Sequence, residues 1–146
     1  MRLLLSIVLL SGALQADLVR DAKKEVVFDS ETFLTWQDTR DNVKVRRDWS
    51  GAYKYCIALE LNNHKDWRLP TKDELLSIVD LTGKVKLNPI FEHKIASAYW
   101  TSSVPKNDLP LAWRVNFDDG KAHWGAQKFD FNIRCVRDTK HKISSN

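Results

Sequence analysis

Apolar and polar positions alternate from residue 25 onward. Val26-Val27-Phe28 and Leu34-Thr35-Trp36 are β-prone runs on either side of the polar turn Asp29 to Thr32, so residues 26–37 read as a hairpin. Asp38 to Arg47 is charged and has no apolar period, which predicts a surface loop. Trp49, Ala52, Tyr53, Cys56, Leu59 and Ile57 then recur at steps of three and four, giving a helix over about 48–61 with Cys56 on its buried stripe and Asp48 as N-cap. Asn62 to Asp66 is loop chemistry that stops this helix, and Trp67-Arg68-Leu69-Pro70 is extended. Thr71-Lys72-Asp73-Glu74 has the spacing of a capping box: the threonine hydroxyl accepts from the Glu74 amide while the carboxylate reaches back to the Thr71 amide. A second helix starts there and runs through Leu75, Leu76, Ile78 and Val79 to about Leu81, with Gly83 placed to end it.

The last third reads as short strands over 98–102, 112–117, 121–124 and 133–137. Asp118-Asp119-Gly120-Lys121 is a hairpin turn, and with Asp119-Gly120 as its two-residue loop the facing pairs are 118/121, 117/122, 116/123 and 115/124. That register puts Trp113, Val115, Phe117, Ala122 and Trp124 on one side and Arg114, Asn116, Asp118, Lys121 and His123 on the other. Trp124 is therefore assigned to the core and not to a sugar-stacking platform. No internal repeat or linker is visible. The expected fold is α+β, two helices packed on short antiparallel strands with one disulfide, as a single domain over 17–138 followed by a disordered tail over 139–146.

The first sixteen residues are expected to lie outside the fold. Met1-Arg2, an apolar run over Leu3–Leu10 and a small, polar exit at Ser11–Ala16 have the order of a secretory signal peptide. The apolar run is too short to cross about 30 Å of hydrocarbon as a helix, so no permanent membrane span is expected after cleavage. The absence of a Cys at the junction argues against lipoprotein attachment. The expected location is periplasmic or secreted. Cleavage lowers the formal charge from +4 to +3, because Arg2 is the only charge removed. With 43% hydrophobic and 29% charged residues, collagen-like repeats, wholesale disorder and a multi-span membrane protein are disfavoured. Lys and Arg are spread among nearly as many Asp and Glu, which is not a nucleic-acid footprint. In an oxidising compartment Cys56 and Cys135 are most simply one disulfide. Catalytic or metal-binding thiols compete with that reading, although the four His show neither an HxxxH pair nor a CxxC partner.

Five segments in this order carry a family resemblance: the hairpin at 27–38, Trp-Ser-Gly-Ala-Tyr-Lys-Tyr-Cys at 49–56, Asp-Trp-Arg-Leu-Pro-Thr-Lys-Asp-Glu-Leu at 66–75, Tyr-Trp-Thr-Ser-Ser at 99–103 and Arg-Cys-Val-Arg at 134–137. Over about residues 25–138 the chain resembles the C-terminal domain of the Legionella collagen-like adhesin, the DUF1566 family. The resemblance implies a C-type-lectin-like fold, a bridge from the first helix to the last strand that matches Cys56 and Cys135, and an adhesive role toward acidic or sulfated glycans. Phe33 departs from the family's Thr-Gly-Leu at Thr32-Phe33-Leu34, which is expected to alter the turn without removing the hairpin.

Chemistry in the sequence is sparse. The Glu-Pro-Asn and Trp-Asn-Asp triplets of calcium-dependent lectins are missing, and Asp118-Asp119 reads as turn chemistry, so no metal and no cofactor is expected. No nucleophile motif occurs, and the chain reads as non-catalytic. Arg68, Arg134 and Arg137 are read as structural. The ligand-binding candidates are Arg114, Lys121 and His123, which suit sulfate or carboxylate groups, with a second patch at Lys44, Arg46 and Arg47. The expected function is a non-catalytic binding module for a polyanionic glycan; the alternative is an assembly component that docks a protein partner, which an exposed apolar patch would favour.

Overall fold

The protein was analysed as a computed structural model that describes residues 17–139. The expected leader over 1–16 and residues 140–146 of the expected tail lie outside the described residues. In chain order the elements are β1 (Leu18–Asp21), β2 (Val26–Asp29), β3 (Leu34–Gln37), α1 (Asp41–Lys44), β4 (Arg46–Arg47), α2 (Trp49–Ala58), α3 (Lys72–Leu76), β5 (Ala98–Trp100), β6 (Leu111–Asn116), β7 (Lys121–Ala126), β8 (Phe131–Asn132) and β9 (Val136–Asp138). They form an α+β fold with two sheets, one ordered β1-β2-β3-β9 and one ordered β4-β8-β5-β6-β7. All strand pairs are antiparallel except β5 with β8.

The hairpin at 26–37 forms with Val26 opposite Gln37 and Asp29 opposite Leu34. Asp29 organises its turn, accepting from the Glu31 amide at 2.9 Å and the Thr32 hydroxyl at 2.8 Å. Phe33 sits at φ 56°, the left-handed region that glycine enters freely and a phenylalanine enters at a cost of roughly 1–2 kcal/mol. The departure from Thr-Gly-Leu therefore strains the turn and leaves the hairpin intact.

The two faces of the β5-β6-β7 sheet bury different clusters. Tyr99, Val115 and Phe117 face Val27, Leu34, Trp36 and Val136 of the other sheet, together with Leu75, Ile78, Leu87 and Phe91. Trp100, Ala112 and Ile133 pack against Ala52 and Cys56 of α2 and against Trp67 and Leu69. Each large apolar side chain so buried is worth about 1.5–3 kcal/mol. The bridge Cys56–Cys135 ties α2 to the residue just before β9, with Cα atoms 5.5 Å apart, and closes a separation of 79 residues. Closing a loop of that size removes about 4–5 kcal/mol of unfolded-chain freedom.

Both helices are shorter than their periodicity predicts. Asp48 caps α2, accepting from the Gly51 amide at 2.7 Å. The helix ends at Ala58 because Leu59 is already extended, and Tyr53 and Ile57, expected on its buried stripe, are exposed. The capping box of α3 forms as expected, with Glu74 N to Thr71 Oγ1 at 3.2 Å and Thr71 N to Glu74 Oε1 at 2.8 Å. The helix stops at Leu76: the Ser77 hydroxyl donates to the Glu74 carbonyl, and Val79 pairs with Leu87 as a β-bridge. Of the strand expected over 133–137 only Val136 and Arg137 are in a strand, β9, and Ile133–Cys135 is the link to it from β8.

Asp38–Arg47 is not a plain surface loop. Asp38 and Asn42 have no exposed surface. Asp38 is reached by Arg20 at 2.5 Å, by the Glu92 and His93 amides at 3.0 Å each, and by Arg134 at 3.4 Å. Asn42 accepts from the Thr39 amide and donates to the Ile133 carbonyl, while Tyr99 donates its hydroxyl proton to the Asn42 carbonyl at 2.5 Å. Arg134, fully buried, donates to the Gln37 carbonyl at 2.6 Å and to the His93 carbonyl, with its guanidinium 4.7 Å from the Phe91 ring centroid. Burial alone would raise the Asp38 carboxyl, but the Arg20 bond, the two amides and Arg134 outweigh it and hold its pKa below the usual value. This joint ties both sheets to α1.

Candidate functional site

The β6–β7 hairpin brings two tryptophans together. Trp113 and Trp124 are directly opposite, with ring centroids 5.0 Å apart and planes at 72°, an edge-to-face pair. The turn is wider than the two-residue loop predicts: Asn116 faces Lys121, and the register is 116/121, 115/122, 114/123 and 113/124. Residues 117–120 form the turn, ending on Gly120 at φ 73° with its amide bonded to the Asn116 carbonyl at 2.8 Å. The slip is two residues, so the sorting into faces survives.

The depth of burial does not follow from that sorting. Val115 and Phe117 are fully buried, but Trp124, expected in the core, is 59% exposed. The reason is where the cover begins. The five-residue α3 packs over β6 and β7 near Leu75 and starts at Lys72, whose ammonium lies 4.4 Å from the Trp113 ring centroid. Beyond that point the hairpin face is bare. The segment after β5 forms the opposite wall: Trp113 N donates to the Ser103 carbonyl, the Trp113 carbonyl accepts from Thr101, and Lys72 N donates to Ser103 Oγ. Between the walls is a cleft of about 470 Å³ lined by Lys72, Asp73, Ser103, Val104 and Lys106 beside the two indoles.

The basic candidates lie elsewhere. Arg114 and His123 are paired across the hairpin on its other face, with Lys121 two positions along, so these three share a face as expected. Two of them are partly committed. The Arg114 guanidinium lies 4.7 Å from the Phe131 centroid and fills the space where a Cβ at position 125 would project. His123 Nε2 is 2.8 Å from Asp119 Oδ2. Lys121 is exposed. Arg46 and Arg47 are exposed on β4 at the far edge of the same sheet, where Arg46 donates to the Asp130 carbonyl and Arg47 to the Arg46 carbonyl. As successive strand residues they point to opposite faces and do not form one patch. Lys44 is exposed in the last turn of α1.

The remaining arginines support the fold. Arg68 grips Glu74 with two bonds of 2.8 and 2.9 Å and also bonds Asp138, which raises its own pKa and holds both carboxyls below the usual range. Arg137 forks onto Asp66 at 2.8 and 3.2 Å. Both cysteines are in the bridge, and among the described residues no three His, Cys, Asp or Glu converge as a metal site. No helix among the described residues is long and apolar enough to cross a membrane.

The exposed Trp pair is the feature that sequence reasoning missed. The signal available was two tryptophans on one side of one hairpin; what could not be read was which part of that side α3 lies over. No curated protein matches the chain. The family model of the Lcl C-terminal domain, the C-terminal domain of the Legionella collagen-like protein, matches residues 25–137, most of the chain and every strand but β1, and the protein belongs to that family.

Proposed function

We propose that this domain is an extracellular, adhesin-like, non-catalytic binding module that takes a glycan on the Trp113–Trp124 shelf. Membership of the Lcl family and the Cys56–Cys135 bridge support a place outside the reducing cytoplasm. The observation that carries the binding reading is the 59% exposed Trp124 beside a half-buried Trp113 at one wall of a polar-rimmed cleft. The apolar C–H face of a sugar ring lies well on an indole, and the rim supplies donors and acceptors for its hydroxyls. Acidic or sulfated glycans, the subclass that the resemblance implies, would find their counter-charges on Lys121, His123 and Arg114 of the opposite hairpin face. A glycan array probed with the wild-type protein and with Trp124→Ala tests the proposal. Retention that disappears in the variant is expected; absence of any glycan retention overturns it.

One observation favours a second reading. Val104 in the cleft wall, and Leu109 and Phe129 flanking the open end of β6–β7, are also exposed, at 50%, 62% and 54%. An apolar fringe of this kind suits a protein partner docking over the same end. In that case the array is blank, and a partner crosslinks to positions 104, 109 and 124.

A further inference from the structure

We infer that the shelf selects uncharged, hydroxyl-rich pyranose chains held by stacking, rather than sulfated polyanions. The inference rests on the glycan reading above and concerns the same cleft.

Its net charge is only +1 where a ligand would sit, two lysines against one aspartate. The Lys72 ammonium is engaged on the Trp113 ring, 4.4 Å from the centroid. Of the other two charged groups lining the cleft, Asp73 is acidic and Lys106 basic. A carboxylate within the cleft repels sulfate, whereas it accepts well from a pair of sugar hydroxyls. The Thr71 hydroxyl, accepting from the Glu74 amide at 3.2 Å, keeps its own proton to donate toward the cleft it lines. The side chains best suited to sulfate, Arg114, Lys121 and His123, stand on the other face of the two-stranded hairpin. A ring stacked on Trp124 therefore has an aromatic floor, hydroxyl and carboxylate partners, and no cluster of unpaired cations. The volume of about 470 Å³ is within the usual range for a small-ligand site of roughly 300–1,000 Å³.

The chain, exported so that its disulfide forms, is titrated with neutral hexasaccharides (cellohexaose, mannohexaose, hexa-N-acetylchitohexaose, galactohexaose) and with heparin and dextran sulfate. The titrations are made at about 0.1 M and about 1 M NaCl, between which the Debye length falls from about 10 to about 3 Å. At least one neutral hexasaccharide is expected to bind with an affinity that changes less than about twofold with salt and to lose at least about tenfold in Trp124→Ala. Asp73→Asn, which leaves the aromatic shelf in place, is expected to weaken the same ligand several-fold and reads the site if Trp124→Ala does not fold. Binding confined to heparin and dextran sulfate, lost at high salt and indifferent to Trp124 and Asp73, overturns the inference while leaving glycan binding standing. Retention of neither class overturns both.

Discussion

The joint around Arg134 and the open end of the β6–β7 hairpin differ in what the fold does with unlike side chains. At the joint, Asp38 and Arg134 are completely buried, and the carboxylate is met by two arginines and two backbone amides. At the hairpin end, an indole with more apolar surface than any other side chain type is left mostly in water. Burial of a charge is tolerated where partners from several elements converge, and an aromatic is exposed where the covering helix begins short of it. Rigidity belongs to the first region and an available binding surface to the second.

This contrast orders the expected effects of perturbation. Reducing the Cys56–Cys135 bridge, which anchors the residue next to Arg134, should cost about 4–5 kcal/mol, read as a lower urea midpoint than that of the oxidised protein. Removing one partner from the joint comes next: Asp38→Ala leaves the Arg134 charge buried with carbonyl partners alone and should cost roughly 3–5 kcal/mol. A loss below about 1 kcal/mol would show that the joint does not hold the sheets together. Acid should act on this joint and on the Arg68 and Arg137 ion pairs as well. Asp38, Glu74, Asp66 and Asp138 all have folded pKa values held below their unfolded ones, so the unfolded chain binds more protons. Their contribution is complete above about pH 5 and is lost as pH falls through the folded values. The urea midpoint should drop steadily below about pH 5, with a shallower drop in Asp38→Asn. Glu74→Ala, which removes the capping-box carboxylate and half of the Arg68 fork, should cost about 1–2 kcal/mol and is read by the same unfolding curves. Trp124→Ala should change stability by no more than about 0.5 kcal/mol, since most of that side chain faces solvent. A larger loss would mean that the shelf is a part of the core.

Local chemistry was legible in the sequence and coverage was not. The hairpin at 26–37, the Asp48 cap, the Thr71–Glu74 box, the pairing of Cys56 with Cys135 and the structural roles of Arg68, Arg134 and Arg137 depend on neighbours in sequence or on residue type. The faces of β6 and β7 were also readable, because a slip of two residues preserves the alternation. Asp38–Arg47 looked solvated because the groups that pair with Asp38 come from Arg20, residues 92–93 and Arg134, far away along the chain. Trp124 looked buried because alternation assigns a side and says nothing of which stretch of that side is covered, and α3 lies over the hairpin only from Lys72 onward.

The most direct test of the binding account follows the six indole N–H signals of the isotope-labelled protein during titration with a glycan that the array retains. The account predicts that the Trp113 and Trp124 signals move with a common saturation curve while those of the buried Trp36, Trp67 and Trp100 stay in place. Shifts confined to the amides of Arg114, Lys121 and His123, with both shelf indoles unmoved, would contradict it and transfer the site to the basic face.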